Sequence, residues 1–173
     1  MTGVYAGMIA LKIEDIKSFT GKLFVGGAFD EFMVREATIV TFNTFTIDGH
    51  IRHGYYTDRE LEEMQIEDLS SWQVIKPICF SLIKGKKLPG SFQITLQLSP
   101  AGVEQFLRDC RLGFAVEQIN GIYMNIRYDD NTLYCISGTS LNVFTLDKSL
   151  EMEWDEALRL FFKKQQIAFT EDT

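Results

Sequence analysis

The sequence predicts a single α+β domain, a largely antiparallel sheet with about four to five helices. Three observations carry this. Residues 91–98 (SFQITLQL) alternate Phe92, Ile94, Leu96 and Leu98 with Gln93, Thr95 and Gln97, the period of a strand with one buried face. GIYMNIRY and TLYCIS, joined by Asp129–Asp130–Asn131, read as a hairpin. Trp154, Ala157, Leu158 and Phe161 recur at helical spacing in a stretch that ends in Lys163–Lys164, basic residues that suit a helix C-terminus.

The other elements follow in chain order. MIALKI (8–13) is short and apolar, a strand. Ile16, Phe19 and Leu23 predict a helix over 14–24, stopped by Gly26–Gly27. Phe32 to Ile51 is rich in β-branched and aromatic residues but too long for one typical strand. It is expected to break near Asn43 and again at Asp48–Gly49, a hairpin signal with a third strand starting near Ile51. Thr57 with Glu60 three residues on forms a capping-box pattern and opens a short acidic helix. In residues 70–84 one helical face carries Trp72, Ile75, Cys79, Leu82 and Ile83. Pro77 inside that pattern predicts either a kink or a helix starting at Lys76–Pro77. Ser99–Pro100 starts a further helix closed by Gly113, NVFTL reads as another strand, and Ser149 is expected to cap the last helix, over 150–165.

Composition narrows the function classes. The chain has 173 residues, 24 acids against 17 bases, a formal charge of −7 and 46 % hydrophobic residues, an ordinary globular composition. No run of about 18 apolar residues is present, so no membrane span is expected. The acidity argues against duplex nucleic acid as a partner, which calls for a basic footprint. The opening MTGVYAGMIALKIEDIK carries no basic leader region, and Met8 reads as a candidate start. Residues 1–7 are then a flexible extension and 8–173 the domain. Cys79, Cys110 and Cys135 form no CxxC pair and sit in apolar runs, as reduced, buried thiols of a cytoplasmic protein do.

Catalytic signatures are missing: there is no P-loop, no GxGxxG, no GxSxG elbow and no HExxH. Four weaker features remain. Lys84, Lys86 and Lys87, in a glycine-bounded stretch, could hold a phosphate or a nucleic-acid backbone, although lysines after a helix also serve its C-terminus. Thr41, Asn43 and Thr46 alternate with hydrophobes and could line a ligand cleft, although hydroxyls on a strand more often face water. Asp48, His50 and His53 offer one oxygen and two imidazoles to a metal; the plainer reading is a solvated turn. Six acids between Asp58 and Asp68 form either a solvated face or a docking surface for a basic partner.

EATIVTFNTFTIDGH (36–50), CFSLIKGKKLPGSFQITLQLSP (79–100) and NIRYDD…GTSLNVFTLDKSLEMEWD (125–155) together resemble a family of short proteins of unknown function from Firmicutes bacteria. The resemblance runs from Met8 onward and implies a bacterial, cytoplasmic, single-domain protein. It implies no catalytic residues and no cofactor. The expected function is a non-enzymatic binding or protein-interaction module, engaging an anionic partner through residues 84–90, and the sequence permits a homo-oligomer. The alternative is a metal-assisted hydrolase or small-ligand sensor using residues 41–53.

Overall fold

The computed structural model describes residues 8–84 and 89–171. The N-terminal extension therefore lies outside the described residues, as do Lys86 and Lys87. Among the described residues are five α-helices and seven strands, all antiparallel, in the order β3-β2-β4-β5-β6-β1-β7. The α+β architecture is as expected.

The chain opens with β1 (Ala10–Ile13) and α1 (Ile16–Phe24), whose Asp15 accepts a bond from the Ser18 N–H as N-cap. β2 (Met33–Val40) and β3 (Thr44–Asp48) form a hairpin that turns at 41–43, close to the predicted break. The second predicted turn is corrected. Gly49 is not a hairpin tip, and no strand starts near Ile51. The Gly49 N–H donates to the Arg35 carbonyl, and any Cβ at 49 would collide with the carbonyl oxygen of Val34. Glycine is needed for this backbone approach. Residues 68–71 then wedge beside the start of β2: the Ser70 N–H donates to the Gly49 carbonyl, and the Val34 N–H to the Ser70 carbonyl.

α2 (Asp58–Met64) is capped by the complete Thr57–Glu60 box. α3 (Trp72–Ile83) runs through Pro77, so of the two alternatives the helix begins upstream of the proline. β4 (Ser91–Gln97) and α4 (Pro100–Asp109) follow, with the Ser99 hydroxyl accepting from the Gly102 N–H. α4 ends before Gly113, through Arg111 at positive φ. β5 (Ile119–Asp129) and β6 (Thr132–Leu141) form the longest hairpin, turned by Asp130 and Asn131, both at positive φ as a two-residue hairpin loop requires.

NVFTL is not a strand. The Asn142 side chain bonds the Glu117 carbonyl, and Phe144 and Leu146 stand 91 % and 82 % exposed, without a neighbouring strand among the described residues. α5 (Ser149–Lys164) starts one residue early: Ser149 is its first residue, and its N–H is held by Asp147. β7 (Phe169–Glu171), unforeseen, pairs with β1.

One face of the sheet carries the core. Val34, Ala37 and Ile39, Phe92, Ile94 and Leu96, and Ile122, Met124 and Ile126 point to it from adjacent strands and are buried with residues of α1, α3 and α5. Aromatic rings tie the layers: Phe24 contacts Trp72 and Phe92, and Phe29 contacts Phe19, Phe161 and Phe162. Trp72 buries its ring completely and donates its indole N–H to the Leu23 carbonyl at 2.8 Å. The other face is open and polar. Thr46, Thr38, Gln93, Arg127, Tyr134, Lys12 and Thr170 form one row across all seven strands. No helix among the described residues is long and apolar enough to cross a membrane.

Candidate functional site

A cleft of about 700 Å³ opens where β2, β4 and β5 meet the excursion that follows β3. Arg35, Gln97 and Asn120 line it from the sheet, and His50, Arg52, His53, Tyr55 and Asp68 from the excursion.

Its sheet side is built from irregularities. The sheet shows two register shifts among the described residues, at Val34/Glu36 and at Ile119/Gly121. The residue left over at each, Arg35 and Asn120, lines this cleft. A bulge bends its strand and re-aims the extra side chain, and bulges gather beside functional sites for that reason. Next to Asn120, Gly121 leaves the space that the Tyr123 ring occupies; a Cβ at 121 would collide with that ring. Tyr123 in turn holds the Arg35 guanidinium 5.7 Å from its ring centre. Arg35 Nη1 donates to Gln97 Oε1 at 3.4 Å. Among the described residues no carboxylate reaches Arg35, whereas Arg52 lies 3.8 Å from Asp48.

The histidines are oriented by acceptors. His50 Nδ1 lies 2.6 Å from Asp48 Oδ1, and His53 Nε2 lies 3.0 Å from the Glu67 carbonyl. A carboxylate and a carbonyl only accept, so each of these ring nitrogens carries its proton. The His50 backbone N–H, then its ring, hold the Asp48 carboxyl below its ordinary value. This offsets a local conflict, because Asp48 stands opposite Glu36 on the open face.

The sequence candidates divide. His50 and His53 both line the cleft, and Asp48 is bonded to His50, but these residues do not converge as a ligand set. Among the described residues no three His, Cys, Asp or Glu side chains gather where they could hold a metal ion. Thr46 sits on the open face with its hydroxyl 3.5 Å from that of Thr38. Asn43 lies exposed in the β2–β3 turn, and the Thr41 hydroxyl is enclosed without a hydrogen-bond partner among the described residues. These three do not border the cleft. Lys84 is exposed at the end of α3, leading to the Ser91 end of β4, whereas the cleft lies at the Gln97 end. α2 buries none of its residues, so its acids stand in solvent, as either reading of the acidic run requires. Cys79 and Cys135 are buried, and Cys110 is half-buried. Burial pushes the Cys79 thiol up to about 12, far from a reactive thiolate.

Sequence reading missed Arg35, Gln97, Asn120 and Tyr123. One signal was present at Arg35: Val34 and Ala37 both face the core, so the consecutive polar pair Arg35–Glu36 breaks strict alternation. Asn120 carried no comparable sign.

The fold and cleft define a class: a one-layer antiparallel sheet, helix-covered on one face, with a donor-rich cleft at one end. The chain belongs to the family of unknown function DUF5721, which matches residues 22–170. No curated protein and no solved structure matches it.

Proposed function

We propose that the protein is a non-enzymatic binding module of the bacterial cytoplasm whose cleft takes a small anionic ligand, a carboxylate or a phosphate. The carrying observation is Arg35: a bulged guanidinium, seated on Tyr123, beside the Gln97 amide and without a carboxylate partner among the described residues. Arginine presents its donors in a planar fork that matches either oxyanion, and a guanidinium held by a ring loses less freedom on binding. Gln97 supplies an amide donor at the same rim, Asn120, whose amide also donates to the Ser140 hydroxyl, lines it, and Arg52 adds positive charge. This reading places the anion at the cleft in preference to residues 84–90.

Calorimetric titration at low ionic strength, with inorganic phosphate and with succinate as probes, tests it. Saturable binding of one of them is expected, weakened at least about tenfold in Arg35→Gln, the loss of a charge-assisted hydrogen bond. The triple variant K84E/K86E/K87E is expected to bind as the wild type does. No saturable binding of either probe, or loss in the lysine variant with none in R35Q, overturns the cleft as the anion site.

A further inference from the structure

The two edges of the sheet are finished differently. β7 is three residues long, and its Glu171 is clamped by Arg159 through bonds of 3.0 Å from Nε and Nη2. β3 carries such contacts only at its last residue, where Asp48 meets His50 and Arg52. Thr44–Phe45–Thr46–Ile47–Asp48 contains no proline, no lysine and no bulge, the devices that usually blunt an edge.

The hydrogen-bond phase says which groups are left open. Gly49 donates to the Arg35 carbonyl and Thr41 to the Asn43 carbonyl, so the odd-numbered residues of β3 bond to β2. The N–H and C=O groups of Thr44, Thr46 and Asp48 therefore point away from the sheet. On the core side, Phe45 and Ile47 stay only half-buried, and Phe42, 84 % exposed, rests edge-on against Phe45 at 5.6 Å. The apolar layer thus runs to the rim and stops without a cover among the described residues.

We infer that β3 pairs with β3 of a second copy, antiparallel about a two-fold axis midway between the two Thr46 residues. Only this register overlaps the whole strand while matching outward residue to outward residue. It sets Thr46 against its own equivalent and Thr44 against the second copy's Asp48, each pair exchanging both backbone bonds. On the core side it brings Phe45 against the second copy's Ile47 in the closer, non-hydrogen-bonded position, so each covers the other's exposed flank. No two like charges meet. The surface is isologous, so pairing consumes both edges and the assembly closes as a dimer. This inference is independent of the anion cleft.

Sedimentation velocity from micromolar to near-millimolar protein is the test. The expected result is a concentration-dependent monomer–dimer equilibrium. The amides of Thr44, Thr46 and Asp48 should gain hydrogen-exchange protection as dimer forms, while Phe45 and Ile47 stay protected at every concentration. Thr46→Pro removes an N–H that β2 does not use, and should yield a folded monomer. Thr46→Lys, which sets two ammonium groups opposite each other, should do the same without altering the backbone. A wild type that stays monomeric throughout, or a dimer that survives both substitutions, overturns the pairing.

Discussion

The two faces of the sheet are made from the same strands and do opposite work. On the covered face β2, β4 and β5 present side chains that are almost all fully buried; on the open face they present Thr38, Gln93, Thr95, Asn125 and Arg127. One face commits every side chain to packing, so a change of even one methylene there is felt. The other is largely relieved of packing, and its irregularities, Arg35 and Asn120 at the bulges, are free to serve a site. The pleat thus separates the packed side chains from the candidate site, and the bulges add Arg35 and Asn120 to the open side.

The largest expected effect lies on the covered face. Trp72→Ala removes a fully buried ring and leaves the Leu23 carbonyl without its donor. A loss of about 3–5 kcal/mol is expected from chemical denaturation, as for other buried aromatic truncations. A loss near zero would mean that the helical layer does not depend on this anchor.

A smaller, pH-dependent effect comes from Asp155, the one acid buried among the described residues. Asp155 accepts a 2.5 Å bond from the Ser137 hydroxyl, which itself accepts from the Ile9 N–H. Burial pushes the Asp155 carboxyl above its ordinary 3.8; the Ser137 bond and Arg159 oppose this, and Glu151 and Glu171 add to it. Between 3.8 and the raised native value the folded state keeps a proton that the unfolded chain has released. Stability therefore falls as pH rises through that window. Asp155→Asn keeps the acceptor and removes the titration. Its stability relative to wild type should climb across the same window in urea titrations, and a constant difference would show that the carboxyl stays neutral or is fully solvated.

The smallest effect belongs to the open face. Gln93→Ala sits in the middle of the polar row and should change stability by less than about 0.5 kcal/mol, the usual range for a surface site. A larger loss would mean that the open face is itself held by packing.

What the sequence revealed follows the same division. The alternation of β4, the Thr57–Glu60 box, the Ser99–Pro100 helix start and the Asp130–Asn131 turn are local signals, and each element appears where its residues place it. The failures need information from distant residues. Asp48–Gly49 has the composition of a hairpin turn, but the glycine is spent on closeness to Val34, which no neighbouring residue announces. NVFTL has strand composition and, among the described residues, no strand to pair with. The cleft was legible only in its two histidines. Asn120 is set out of register by Ser140 and Leu141 across the ladder, and such an offset is invisible along one strand. β7 exists only because β1 lies beside it.

That last pairing has a kinetic side. β1 lies between β6 and β7, and the bond from Ile9 to Ser137 joins residues 128 positions apart. Closing so long a loop costs chain entropy before any contact repays it, whereas the β2–β3 and β5–β6 hairpins close over a few residues. Of the strands described, the one that leaves the ribosome first can take its place only after β6 has been made, and β7 seals it later still. Until then the newborn sheet ends at β6, with Tyr134, Cys135 and Ile136 waiting for the segment synthesised long before them.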